Sequence, residues 1–147
     1  MKVAVGCDPN AKLLENIIVD ELEKLGHEVV KFGSEDPIYA NTAIAVAEAV
    51  SSGICARGVV LCGTGIGVSI AANKVPGAYC ALVTDAYQAQ RASLSNNANI
   101  IALGSQVLGE MSARLLVRTY MELSYEKGGR SDQKIQRILD YEKTHTC

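Results

Sequence analysis

Cys62 stands where an apolar run, Gly58-Val59-Val60-Leu61, meets a glycine-spaced segment, Gly63-Thr64-Gly65-Ile66-Gly67. A helical pattern of small residues follows, Val68-Ser69-Ile70-Ala71-Ala72-Asn73-Lys74. A thiol thus ends a strand, and alternating glycines lead from it into a helix. Glycine lets backbone N–H groups approach a ligand closely. A helix N-terminus favours anions, a thiolate among them. These residue types suit an active site that handles a transient negative charge.

The spacing sets several other chemistries aside. The glycines read GxGxG rather than GxGxxG, and the second predicted strand ends in Lys31-Phe32-Gly33 with no acidic residue, so the dinucleotide fingerprint is not met. No Gly-Lys-Ser/Thr follows, which removes a P-loop. A cysteine phosphatase needs an arginine shortly after the thiol, where this chain has Ile66, Gly67 and Val68. A receiver domain would place an Asp at the end of strand three and a Lys after strand five; Cys62 and Gly104-Ser105 occupy those places. A bare strand–helix turn does not need three glycines.

The elements that must hold this segment alternate along the chain. Strands are predicted over Lys2–Gly6, Glu28–Phe32, Arg57–Cys62, Tyr79–Val83 and Asn99–Leu103. Helical periods cover Leu13–Leu22, Tyr39–Val50, the segment after Gly67, Asp85–Ser93, Ser105–Ser124 and Asp132–Lys143. The pattern predicts an α/β fold: a three-layer, doubly wound, five-stranded parallel sheet, Rossmann-like or flavodoxin-like. Residues 1–147 read as a single domain, with a C-terminal helical arm from about 128 to 147 after Gly128-Gly129. In such sheets ligands bind beyond the carboxyl ends of the strands. Asp8, the Asp36–Tyr39 loop, Cys62–Gly67, Thr84-Asp85 and Gly104-Ser105 fall there. The ends of strands one and three are the most polar and glycine-rich, which puts the site between them.

A net charge of −2 argues against nucleic acid or an anionic membrane as the main partner. No apolar run reaches transmembrane length and no signal peptide is evident, so a cytoplasmic location is expected. The five cysteines, Cys7, Cys55, Cys62, Cys80 and Cys147, form no CxxC pair, so neither a zinc site nor a disulfide framework is indicated. Cys7, Cys55 and Cys80 read as packing residues. His27 and His145 are the two histidines, and neither is placed near the glycine loop, which weakens metal-dependent and His-based mechanisms.

Gly6-Cys7-Asp8, Cys62-Gly63-Thr64-Gly65-Ile66-Gly67, Ala71-Ala72-Asn73-Lys74-Val75-Pro76-Gly77, Asn96-Asn97-Ala98-Asn99 and Gly128-Gly129-Arg130 occur in this order. Together they resemble the type B ribose-5-phosphate isomerases and the related galactose-6-phosphate isomerase subunits, from Met1 to about Lys134. The resemblance implies aldose–ketose isomerisation of a sugar phosphate through an enediolate, with no metal or other cofactor. It implies Cys62 as the base and Thr64 as the relay that moves protons between two oxygens. The backbone N–H groups of Gly63, Gly65, Ile66 and Gly67, with Asn96, fit the oxyanion hole. Some relatives place a carboxylate base just after the glycine loop; Val68 there cannot serve. Asp8, Tyr39, Asn10 and Ser95 are the expected substrate-binding residues. Arg130 resembles a phosphate-binding arginine, and Lys134 sits where a second arginine is usual. A lysine holds phosphate as a point charge without the bidentate fork. The family forms homodimers or dimers of dimers with shared active sites, so Asn96 or the arm is expected to cross between copies.

The chain also departs from that pattern. Pro9 replaces a histidine that helps to bind phosphate, Ser95 replaces the histidine assigned to opening the furanose ring, and Gln106 replaces a common arginine. A tetrose 4-phosphate has its O4 esterified and cannot close a five-membered ring, so it needs no ring-opening imidazole. The expected substrate is therefore a four-carbon sugar phosphate, such as erythrulose 4-phosphate and erythrose 4-phosphate. Three alternatives stand beside it: a ribose 5-phosphate isomerase, a non-catalytic sugar-phosphate-binding subunit, and a nucleotide-binding module.

Overall fold

The computed structural model describes residues 1–33 and 35–145; Ser34 of the predicted loop and Cys147 of the cysteine set lie outside them. Five strands alternate with helices: β1 Lys2–Cys7, α1 Lys12–Lys24, β2 Glu28–Gly33, α2 Tyr39–Ser51, β3 Arg57–Cys62, α3 Ile66–Ala72, β4 Cys80–Leu82, α4 Ala86–Leu94, β5 Ile100–Gly104, α5 Glu110–Glu122 and α6 Asp132–His145. All pairings are parallel, which the helical crossovers require.

The pleat sorts the strand side chains into two cores. Val3, Val5, Cys7, Val59, Leu61, Ile101 and Leu103 face α1, α4 and α5. Ala4, Val60, Cys62, Ile100 and Ala102 face α2 and α3. Period-two alternation makes both faces apolar, as a sheet covered on each side needs. It also sends the Cys62 thiol toward the layer that holds the starts of α2 and α3. On the other face, Glu21 pins α1 to α5 by accepting from Arg118 at 2.5 Å and Arg114 at 3.1 Å.

The strand order adds to the expected fold, and one expectation changes. A flavodoxin-like sheet has the order 2-1-3-4-5; here the order is β2-β1-β3-β5-β4. The last strand inserts beside β3, and β4 becomes the edge, paired to β5 alone. The helix predicted from Ser105 starts only at Glu110. Ser105 and Gln106 instead donate their N–H groups to the carbonyls of Cys62 and Gly63, both at 2.9 Å, and turn before the helix begins. The strand order still reverses between β1 and β3, where the sequence places the site.

Candidate active site

The Cys62 side chain is nearly buried, 5% exposed, at the end of β3. The loop folds back so that the Gly65 N–H donates to Cys62 Sγ at 3.1 Å. That reversal places Gly65 at φ +80°, in the left-handed region that favours glycine. The Ile66 N–H donates to Thr64 Oγ1 at 3.3 Å, and the Thr64 side chain stays exposed. The N–H groups of Gly63, Thr64, Gly67 and Val68 meet no acceptor among the described residues. One donor therefore meets the sulfur, and others remain available in the same loop.

β5 braces this loop from behind. A Cβ on Gly104 would lie 2.6 Å from the Thr64 carbonyl carbon, so only glycine allows the loop to rest on that strand. The Gln106 side chain lies across Gly63, about 3.4 Å from where a Cβ there would be.

Asp8 follows β1, 5% exposed, and accepts from the Asn10 N–H at 3.0 Å. It thereby caps the short turn Pro9–Ala11 while lining the same cleft as Cys62. Tyr39 opens α2. Asp36 sets that start by accepting from Asn41 Nδ2 at 3.0 Å and the Ile38 N–H at 2.8 Å. These bonds, Asn41 foremost, hold the Asp36 carboxyl below its usual range. The Tyr39 ring lies against Gly67, so close that a Cβ there would be 2.5 Å from Cζ. Asp8, Tyr39, Cys62, Gly63, Thr64 and Gly67, with the exposed Ile66 and Ile70, line a cleft of about 430 Å³. No basic side chain of the described residues lines it.

The remaining expected residues lie elsewhere in the chain. Asn10 lines a neighbouring hollow with Ser105 and Gln106, and its carbonyl accepts from Ser105 Oγ at 3.2 Å. Ser95 and Asn96 close the C-terminus of α4, both donating backbone N–H to the Arg91 carbonyl. They precede β5, whereas Gly104 at the far end of β5 pairs with Cys62. Four residue steps at about 3.3 Å put them more than about 13 Å from the thiol. Arg130 lines a cleft between the ends of α4 and α5, with Arg91, Ser124 and Tyr125. Lys134 sits on the first turn of α6, its N–H on the Ser131 carbonyl at 3.1 Å. One chain therefore gathers Cys62, Thr64, the glycines, Asp8 and Tyr39, and holds Ser95, Asn96, Arg130 and Lys134 apart from them.

Burial accounts for the other thiols of the described residues. Desolvation pushes Cys7 and Cys80 up to about 12, and it raises Cys55 as well. Among the described residues no group of three or more His, Cys, Asp or Glu is placed to hold a metal.

The sequence profile of the ribose/galactose isomerases matches residues 3–138. The chain belongs to the ribose/galactose isomerase family. It is 41% identical to a D-erythrulose-4-phosphate isomerase of Pectobacterium atrosepticum, over 97% of this chain and 95% of that one. Ribose-5-phosphate isomerase B of Escherichia coli is 38% identical, over 97% of each chain. The solved structure of Clostridium thermocellum ribose-5-phosphate isomerase B superposes with a TM-score of 0.93 at 42% identity, covering 99% of this chain and all of that one. The chain is a sugar-phosphate isomerase with this family's α/β fold. No helix of the described residues is long and apolar enough to cross a membrane.

Within this isomerase fold Ile70 and Arg91 escaped the sequence reading, and Gln106 was read there only as the replacement of an arginine. Ile70 lines the cleft one turn beyond Ile66, a spacing legible on α3. Gln106 lies on the glycine loop because of a turn where a helix was expected. Arg91 shares the Arg130 cleft; its position one turn before Ser95 on α4 was the available signal.

Proposed function

We propose that this isomerase interconverts the aldose and ketose forms of a four-carbon sugar phosphate, such as erythrulose 4-phosphate and erythrose 4-phosphate. Cys62, as thiolate, takes the proton from the carbon beside the carbonyl and returns it to the neighbouring carbon. The backbone N–H groups of Gly63, Thr64 and Gly67 receive the enediolate oxygen, whereas those of Gly65 and Ile66, expected to join them, are taken by Cys62 Sγ and Thr64 Oγ1. Thr64 Oγ passes a proton between the two oxygens. Asp8 and Tyr39 hold the sugar hydroxyls, with Asn10 at the margin. A second copy of the chain brings Asn96, Ser95, Arg130 and Lys134 to the cleft, in a homodimer or a pair of dimers.

The observation that carries the shared site is the split itself: a thiol cleft with no basic residue, and a cleft elsewhere on the same chain that holds Arg91 and Arg130. Pro9 and Ser95, standing where ring-handling relatives have histidines, support the short substrate. The likeness to an erythrulose-4-phosphate isomerase agrees with it. The ribose 5-phosphate reading draws on the 42% identity to a ribose-5-phosphate isomerase B.

The test is kcat/KM on four-, five- and six-carbon sugar phosphates side by side. The tetrose phosphate is expected to be fastest; tenfold faster turnover of ribose 5-phosphate defeats the proposal. A Cys62→Ala variant should lose about 10² or more in kcat. Unchanged sugar-phosphate affinity with no wild-type turnover would instead mark a binding subunit.

A further inference from the structure

Arg91 projects from α4 one turn before Ser95, and its Nε donates to Ser95 Oγ at 3.1 Å. Ser95 Oγ in turn lies 3.1 Å from Asn96 Oδ1 and 3.0 Å from the Arg91 carbonyl. The guanidinium is thus anchored through one edge. Its two terminal nitrogens meet no acceptor among the described residues. Arg130 lines the same cleft of about 540 Å³, and its guanidinium has no ion pair there either. Glu122 and Glu126 border that cleft without pairing to either arginine. Both arginines thus line one cleft with unused donors, and an anion between them would fill both forks.

The need for such a cation is visible at the other half of the site. Pro9 and Gln106 are uncharged, and Lys134 lacks a fork. We infer that Arg91 binds the phosphate group of the substrate together with Arg130, and that it is a determinant of substrate length. This rests on the proposed reading in which a second copy brings Asn96 and Arg130 to Cys62. Asn96 serves the reacting carbons in that reading, and Arg91 is fastened to Asn96 through Ser95. Its fork is therefore held closer to the reacting end than a ligand carried on the arm, which suits a shorter sugar.

The test compares Arg91→Gln, Arg91→Lys and Arg130→Ala with the wild type on whichever sugar phosphate turns over fastest. The readouts are kcat, KM and the inhibition constant for inorganic phosphate. For Arg91→Gln, KM and the phosphate inhibition constant should each rise tenfold or more, with kcat within threefold. Arg91→Lys keeps the charge without the fork and should raise both by about threefold, which decides the matter if the glutamine variant does not fold. A rise with Arg130→Ala but none with the Arg91 variants overturns the inference and leaves the proposed site standing. A fall in kcat with phosphate inhibition unchanged also overturns it, because Arg91 would then act only through Ser95 and Asn96. No rise with any of the three removes the two-copy site and the inference with it.

Discussion

Gly67→Ala separates the space in the cleft from its backbone donors, because alanine keeps the N–H. The new Cβ would stand 2.5 Å from Tyr39 Cζ, 2.6 Å from Cε2 and 2.9 Å from Oη. Carbon atoms settle at about 3.5–4.0 Å, so the ring must retreat by roughly 1 Å. Tyr39 is 43% exposed, and it can swing without opening the core. Alanine is favoured over glycine in a helix by about 0.5–1 kcal/mol, so the fold should be unharmed or slightly stabilised. A displacement of this size at a reacting site costs about 10²-fold, or about 2.7 kcal/mol of barrier. kcat/KM on the fastest sugar phosphate should therefore fall about a hundredfold while Tm holds or rises. Tyr39→Ala opens the space, so adding Gly67→Ala to it should cost less than about threefold in a double-mutant cycle. Equal losses in both backgrounds, or a Tm that falls in step with activity, would refute the argument from Tyr39.

Gly65→Ala should behave in the opposite way, losing stability first. Its φ of +80° strains alanine, and the Cβ would meet Leu82 Cδ1 at 2.7 Å and the Leu103 backbone at 3.0 Å. Urea unfolding should show a loss of about 2 kcal/mol or more. Arg118, then Arg114, hold the Glu21 carboxyl below its usual range. The unfolded chain then binds a proton at higher pH than the folded one, so Glu21 stabilises fully above about pH 4.3 and less as pH falls below it. Glu21→Gln should be less stable at pH 7, and the Tm gap to the wild type should narrow as pH falls below about 4.3; a gap constant with pH would contradict the ion-pair account. Ser95→His should raise the ratio of ribose 5-phosphate to tetrose 4-phosphate turnover by about tenfold, since an imidazole adds a proton donor for ring opening.

The strands were readable because a sheet covered on both faces leaves short apolar runs, as in Val3–Cys7 and Val59–Cys62. β4 is shorter than its apolar run, Cys80–Leu82 rather than Tyr79–Val83, with Cys80, Ala81 and Leu82 in register with Ile100, Ile101 and Ala102. The strand order was not readable: a crossover from β4 can return on either side, and nothing local in Asn99–Leu103 says which. The early helix start at Ser105 failed for a related reason. The acceptors that claim Ser105 and Gln106 belong to Cys62 and Gly63, more than forty residues away. The thiol, glycine loop, Asp8 and Tyr39 form one cleft, as their positions at strand and helix ends suggested. That Ser95, Asn96, Arg130 and Lys134 sit apart could not be read from motif order, which is blind to the end of the sheet at which a residue emerges.

The insertion of β5 between β3 and β4 also constrains how this protein can come into being. β4 leaves the ribosome before the strand that is its only neighbour in the sheet. It must wait through α4, unpaired, until Ile100–Gly104 arrives to bridge it to β3. The same strand supplies Gly104, on which the Thr64 backbone rests, and the turn that ties down Cys62 and Gly63. The glycine loop therefore reaches its working shape only when a late-made strand slots into the middle of the sheet. A nascent chain that stops short of residue 104 can build β2, β1 and β3 with their helices and still hold an unformed glycine loop.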